Sequence, residues 1–273
     1  MAEGTLPCHP AEPKPITFIT SMLRNLWSHF VSLTSRLAGL RKERDHHFYQ
    51  GVPRPSSLVV DLGLHKGQFS RFVISEYGCF VIGLEANPYL FERLEALPQG
   101  KFANFAVNNL DSPVVFNVSN NPEASSVLEE MAQSFGASVR VTVPGITLDS
   151  LFEKYSITHV DLLKVDIEGS EFDMLMSASE KTLAKIAQIT VEFHLKTGSA
   201  DFSLKRVLSI CQRLRRFGFR VLFMDRGFTD VLFLNSNRIP LKPTEKIAFA
   251  LYAYVIMPLR FLTKKRDLIY GCS

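Results

Sequence analysis

Val59-Val60-Asp61-Leu62-Gly63-Leu64-His65-Lys66-Gly67 is an apolar run that breaks into a turn carrying two glycines. The run Leu58–Leu62 is too short for a helix and reads as a buried strand. Gly63 and Gly67 permit backbone angles and close ligand approach that a side chain would block. A helix predicted over Gly67–Glu76 follows, and its first turn offers unpaired N–H groups. Strand, glycine turn and helix in this order point to a nucleotide-type ligand at the turn.

Outward from this turn the chain alternates strands and helices. Phe80–Leu84 and Phe102–Val107 read as strands, with a helix predicted over Tyr89–Leu97 between them. Val114–Val118 and Val139–Val143 are shorter strands that could form an inserted hairpin. Thr147–Tyr155 is a helix that Thr147 can cap. Val160–Val165 and Ile186–Phe193 are buried strands, with helix Glu171–Ala178 between them and amphipathic helix Ser203–Phe217 after them. Arg220–Met224 and Val231–Leu234 close the region as an antiparallel pair. Such alternation predicts an α/β fold of the Rossmann-like kind. Its mostly parallel seven-stranded sheet carries helices on both faces and an antiparallel final strand. Ligands of such sheets bind outside the carboxyl ends of the strands, where the strand order reverses.

The chemistry-bearing residues fall at those ends. Glu85 ends the second strand, 24 positions after Asp61, in Gly83-Leu84-Glu85-Ala86-Asn87-Pro88. An acid there can accept hydrogen bonds from two ribose hydroxyls. The turn has G-x-x-x-G spacing where a dinucleotide fingerprint wants G-x-G-x-x-G, which favours S-adenosylmethionine over NAD. Asp61, Gly63, His65, Gly67, Glu85, Ala86 and Asn87 are therefore candidate cofactor residues. Phe105 and Ala106, at the end of the third strand, are candidates for the adenine pocket.

Asp161-Leu162-Leu163-Lys164-Val165-Asp166-Ile167-Glu168-Gly169-Ser170-Glu171 supplies the second constellation. It closely resembles the K-x-D-x-E-G signature of the FkbM family of methyltransferases. Val60–Gly67 is similar to that family's first motif, and Glu85-Ala86-Asn87-Pro88 to its E-P-N-P block. Ser125-Ser126 and Thr147-Leu148-Asp149 match its S-S and T-L-D elements, and Val191-Glu192-Phe193-His194 is similar to its V-E-x-H strand end. The blocks occur in order over Leu58–Leu195. One departure is Leu64-His65, where the family commonly has Ala-Asn. The resemblance implies O-methylation of a hydroxyl on a sugar, glycolipid or other small molecule, with S-adenosylmethionine as cofactor. It also places Ser125 and Ser126 near the acceptor.

An alcohol attacking a sulfonium methyl must lose its proton, and a carboxylate or histidine within hydrogen-bond reach can take it. Asp166, Glu168 and His194 are the candidates. Lys164, two before Asp166, is either an ion-pair residue or a hydrogen-bond donor to the acceptor oxygen. Asp166, Glu168 and His194 could also form an oxygen-rich metal site, but nothing in their spacing demands an ion, and none is assigned. Two other readings stay open. One is a catalytically inactive methyltransferase-like binding module. The other is a different nucleotide-dependent enzyme on the same fold.

The rest of the chain bounds these readings. It has 273 residues, 46% hydrophobic and 21% charged, with net charge +4, which excludes a disordered chain and demands no nucleic-acid partner. The basic stripe Lys205, Arg206, Arg213, Arg215, Arg216 reads as a solvated helix face. Cys8, Cys79, Cys211 and Cys272 have no metal or redox spacing, which suits a reducing, cytoplasmic setting. The start of the chain lacks a secretory pattern. The longest apolar run, Ile247–Leu259, has 13 residues, including Pro258, too few to span a bilayer. Residues 1–55 read as a Pro-rich lead and an amphipathic helix, about Thr17 to Lys42, ending in the charge run Arg41–Asp45. Residues 56–237 form the methyltransferase-like domain, and 238–273 an apolar and basic extension. Both end segments have the composition of interfacial helices as well as of packing elements. Peripheral membrane contact and packing or dimer contact are thus both open.

Overall fold

Successive strand residues point to opposite faces of a sheet, and β3 (Leu58–Leu62) shows the consequence. Val60 and Leu62 enter the largest apolar cluster, while Val59 enters a separate cluster on the opposite face with Phe48 and Phe69. In the computed structural model, residues 15–119, 138–194, 204–225 and 227–259 are described.

The elements before β3 are α1 (Pro15–Leu37), β1 (Leu40–Glu43) and β2 (His46–Tyr49). After it come α2 (Gln68–Tyr77), β4 (Phe80–Glu85), α3 (Pro88–Phe91), β5 (Gly100–Asn104), β6 (Ala106–Val107), β7 (Val114–Ser119), β8 (Ser138–Val143), β9 (Gly145–Ile146) and α4 (Leu148–Lys154). The chain continues through β10 (Leu162–Val165), α5 (Glu171–Ser177), α6 (Glu180–Leu183), β11 (Gln188–Glu192), α7 (Leu204–Arg216), β12 (Phe219–Phe223), β13 (Asp230–Asn235) and α8 (Pro243–Leu251). A π-helical turn, Tyr252–Ile256, prolongs α8.

Seven strands form one sheet in the order β12-β13-β11-β10-β3-β4-β5. The pairings from β11 to β5 are parallel, and β13 runs antiparallel to both its neighbours. The predicted Rossmann-like fold with an antiparallel last strand is the one observed. Helices cover both faces. One face packs residues of α4, α5, α6 and α7; the other packs α2, the β1–β2 hairpin, α1 and α8. The order reverses between β3 and β10, so their carboxyl ends flank a crevice.

Four expectations are corrected. Helix α1 ends at Leu37, five residues before Lys42, because Gly39 turns the chain with φ +67°. The charge run Arg41–Asp45 then belongs to the antiparallel hairpin β1–β2. The helix expected over Tyr89–Leu97 is only Pro88–Phe91, capped by the Asn87 side chain. The strand expected over Phe102–Val107 breaks at Phe105, and β6 leaves the main sheet to pair with β9. The inserted pair β7–β8 is present and antiparallel. Buried Cys79 and Cys211 are free thiols, whereas Cys8 and Cys272 lie outside the described residues.

Candidate active site

A cavity of about 380 Å³ opens at the carboxyl ends of β3, β4, β10 and β11. Its size is that of a small-molecule site. The cofactor candidates Gly63, His65, Glu85, Ala86, Asn87, Phe105 and Ala106 all line it, as do Lys164, Asp166, Glu168 and His194. Gly67 and Asp61 do not line it. Gly67, at the N-terminus of α2, has φ +68°, and Asp61 is fully buried.

The glycine turn is held by backbone approach. A Cβ on Gly63 would lie 1.7 Å from the Asp166 carbonyl oxygen, so the two loops touch only because residue 63 has no side chain. Gly63 also has φ +83°. His65 adopts φ +51°, a left-handed conformation that Asn, Asp and His tolerate better than most residues. The departure from Ala-Asn to Leu64-His65 therefore keeps a residue suited to the turn. The Leu64 side chain lies over Gly83, where a Cβ would meet it at 2.5 Å.

Glu85 is fixed by the turn it serves. One carboxylate oxygen accepts from the His65 N–H at 2.6 Å and the other from the Asn87 N–H at 2.8 Å. Each oxygen keeps further lone-pair capacity for a ligand. Burial pushes this carboxyl up to about 7, against the pull of those N–H groups and Lys164.

Asp61 and Lys164 pair across β3 and β10, directly opposite in register. The Lys164 ammonium lies 3.3 Å from both Asp61 and Asp166 and donates to the Gly63 carbonyl at 2.6 Å. Burial alone would lower its pKa, but the two carboxylates outweigh that and raise it. This is the ion-pair geometry: Lys164 ties the two loops that bound the crevice. Asp61 also accepts from Ser70 of α2 at 2.6 Å.

The turn after β10 carries Asp166, Glu168 and Gly169. Glu168 has φ +52° and Gly169 φ +113°. Backbone in such regions persists only when its surroundings hold it there, and here Glu171 does so. Its fully buried carboxylate accepts from the N–H groups of Ile167 and Gly169 at 3.2 and 3.0 Å. The same oxygen lies 2.8 Å from His194 Nδ1. The opposite ring nitrogen, Nε2, is thereby turned to Glu168 at 3.2 Å and Asp166 at 3.7 Å. Burial opposes a charge on His194, yet Glu171, Glu168 and Asp166 raise it to about 10. Burial likewise lifts Glu168 to about 7. Asp166 goes the other way: burial is outweighed by Lys164, His46 and His194, and its pKa falls.

Three site residues escaped the sequence reading. Glu171 looked like an ordinary first-turn helix acid. Glu192 looked like a strand residue, although it shares a face with His194 by the period-two rule. His46, at the start of β2, had no signal except its neighbours Phe48 and Tyr49. The structure brings His46 Nε2 to 3.5 Å from Asp166. His46, Asp166 and Glu192 could hold a metal ion, as could Asp166, Glu168 and His194. Ser125 and Ser126 lie outside the described residues.

Residues 61–221 match the model of the Methyltransferase FkbM domain, more than half of the chain. A curated relative, AMB antimetabolite synthetase AmbE of Pseudomonas aeruginosa, is 35% identical over 68% of this chain. The chain spans only 11% of that relative's length. Among solved structures, a TehB-like SAM-dependent methyltransferase from Corynebacterium glutamicum covers 81% of this chain and all of its own, at 13% identity and TM-score 0.33. A SAM-dependent methyltransferase from Thiobacillus denitrificans, solved with S-adenosyl-L-homocysteine, covers 78% of this chain and 82% of its own, at 13% identity and TM-score 0.31.

Proposed function

The chain belongs to the FkbM methyltransferase family, and we propose that it transfers a methyl group from S-adenosylmethionine to a hydroxyl oxygen of a sugar, glycolipid or other small acceptor. One observation carries this reading. A buried, backbone-oriented acid beside a glycine turn shares a single cavity with the Asp166–Glu168–His194 cluster.

The residues at one end fit the cofactor. Glu85 has lone pairs left for two ribose hydroxyls, Phe105 and Ala106 offer apolar surface for a flat base, and the start of the glycine turn, Gly63 to His65, faces the cavity where the methionine end would lie. Bound there, S-adenosylmethionine supplies an electrophilic methyl group.

The other end fits the acceptor. Its hydroxyl must give up a proton as the oxygen attacks, and a carboxylate in hydrogen-bond reach takes it. Glu168, about a third exposed and braced by His194, is placed to do so. Glu171 locks the imidazole ring, so His194 acts as a fixed donor beside the carboxylate. Holding both reactants in one cavity supplies the orientation that such a displacement needs. Ser125 and Ser126 remain proposed acceptor contacts on the strength of the family pattern.

Calorimetric titration of the full chain tests the cofactor half. S-adenosylhomocysteine binds with micromolar affinity and NAD does not, and Glu85→Ala weakens binding at least tenfold. Failure to bind S-adenosylhomocysteine at high micromolar concentration sinks the reading. For the acceptor half, radiolabelled methyl should move to a hydroxylated small molecule, and Glu168→Gln should slow that transfer at least a hundredfold.

A further inference from the structure

The β1–β2 hairpin lies outside the stretch that matches the family model, which begins at residue 61. Yet it delivers His46 to the active-site wall. His46 is only 3% exposed. Its Nδ1 has no hydrogen-bond partner among the described residues, and its ring packs edge-on against Phe69. The Nε2 atom faces Asp166 at 3.5 Å, longer than an ordinary N–H···O bond. An ion placed between the Nε2 side of this buried ring and the Asp166 carboxylate would meet both groups at once.

Glu192 completes the arrangement. It ends β11, lines the same cavity, and its half-buried carboxylate has no hydrogen bond or ion pair among the described residues. One donor atom each from His46, Asp166 and Glu192 lies within 4.8 Å of the others. Donors held about 2.1 Å from a common ion stand about 3 Å apart at right angles and about 4.2 Å apart in line. The 3.5 Å separation falls inside that range, and the jointed Glu192 side chain can close the rest.

Charge points the same way. Asp61, Glu168, Glu171 and Glu192 gather around Asp166, with Lys164 and His194 among them. Lys164 is committed to Asp61, Asp166 and the Gly63 carbonyl. His194 is committed to Glu171 and Glu168. His46 is paired with Asp166 alone, and Glu192 with no side chain among the described residues, which separates their cluster from the overlapping Asp166–Glu168–His194 group.

We propose that His46, Asp166 and Glu192 form a binding site for one divalent cation of the Mn²⁺ or Mg²⁺ class at the acceptor end of the cavity. Two carboxylates and one imidazole suit a hard-to-borderline ion and leave coordination positions for water or acceptor oxygens. Its use, which rests on the methyl-transfer reading, is to hold the acceptor hydroxyl and lower its pKa. The site itself does not depend on that reading.

The test uses the full chain, stripped with a chelator and titrated with Mn²⁺ while free ion is followed by electron paramagnetic resonance. One ion binds per chain, and spin-echo spectra of the loaded protein show nitrogen coupling from an imidazole. His46→Gln and Glu192→Gln each weaken binding at least tenfold, and His46→Gln removes the nitrogen coupling. S-adenosylhomocysteine affinity, measured on the same samples, changes less than twofold and reports that the fold is intact. Absence of a bound ion in the wild type overturns the proposal. So does nitrogen coupling that survives His46→Gln, which would place the ion on His194. A wild type that binds Mn²⁺ but not S-adenosylhomocysteine leaves this site standing and removes the cofactor reading instead.

Discussion

Glu85 sits 6% exposed with a backbone N–H on each oxygen, and burial still lifts its pKa to about 7. A proton on this carboxyl occupies lone-pair capacity that ribose hydroxyls would use. The ionised form is the better acceptor, so cofactor affinity should rise as pH climbs through 7. Between pH 6 and pH 8 the ionised fraction grows about tenfold, and the association constant for S-adenosylhomocysteine should follow it by up to that factor. Glu85→Gln should bind more weakly and lose the pH dependence. Calorimetry across this interval decides the point, and a wild-type affinity that stays flat refutes it. The position of Glu85 was visible in sequence as an acid ending the second strand. Its raised pKa was not, because that depends on the His65 and Asn87 amides closing over it in space. Glu171 was hidden for a similar reason: nothing local shows that a first-turn helix acid folds back onto Ile167, Gly169 and His194.

Hairpin β1–β2 is an element that sequence missed altogether. Two-residue hairpin turns favour Asn-Gly or Asp-Gly because their central residues need positive φ, and this one uses Arg44-Asp45 with Arg44 at φ +54°. Without that signature, the charges looked like the polar end of α1. What fixes the hairpin is a distant contact. Gln188 of β11, fully buried, accepts from the Tyr49 N–H at 2.8 Å and donates to the Tyr49 carbonyl at 3.1 Å. Gln188→Leu keeps the volume and strands both groups, at a cost of about 2–4 kcal/mol. The surface pair Arg41–Glu76, 2.7 Å long and a third to a half exposed, should contribute under about 1 kcal/mol when removed by Arg41→Ala. Urea denaturation separates the two, and equal effects would contradict the assignment. By contrast β3, β4, β10 and β11 were legible, since buried parallel strands read as short, continuous apolar runs whatever surrounds them. The Phe102–Val107 run was legible as extended chain, but its break at Phe105 follows from β6 pairing with β9, a partner about 40 residues away.

The whole molecule leaves one surface unaccounted for by its core. Helices α1 and α8 join β12 and β13 in a shared apolar cluster, burying Val31 and Thr34 of α1 and Ala38 just after it. Removing the terminal segments would therefore open that core, and point changes are the better probe. On α1, Met22, Leu23, Leu26, Phe30, Leu33 and Leu37 are 40–59% exposed. At about 100° per residue they fall within an arc of about 100°, distinct from the buried face. Exposed His29 and Arg36 border the arc, and α1 contains no acidic residue. Across the contact with α8, Ile247 and Tyr254 are 70% and 80% exposed. No helix among the described residues is long and apolar enough to cross a membrane. We propose that this face lies on an anionic bilayer. A two-fold dimer through α1 would offer Arg36 no acid from the partner helix, whereas anionic headgroups complement the arc and its border. Each half-exposed Leu or Phe inserted adds on the order of 1 kcal/mol, so Leu26→Ser with Phe30→Ser should weaken binding by about 2 kcal/mol, or thirtyfold. Flotation of the full chain with phosphatidylcholine vesicles, with and without phosphatidylserine, measures this directly. The wild type should float with the anionic vesicles, and the double variant should stay behind while still binding S-adenosylhomocysteine. Equal flotation of the two proteins rejects the proposal. So does a wild type that ignores vesicles but sediments as a dimer which the double variant abolishes, since the face would then belong to a second copy of the chain.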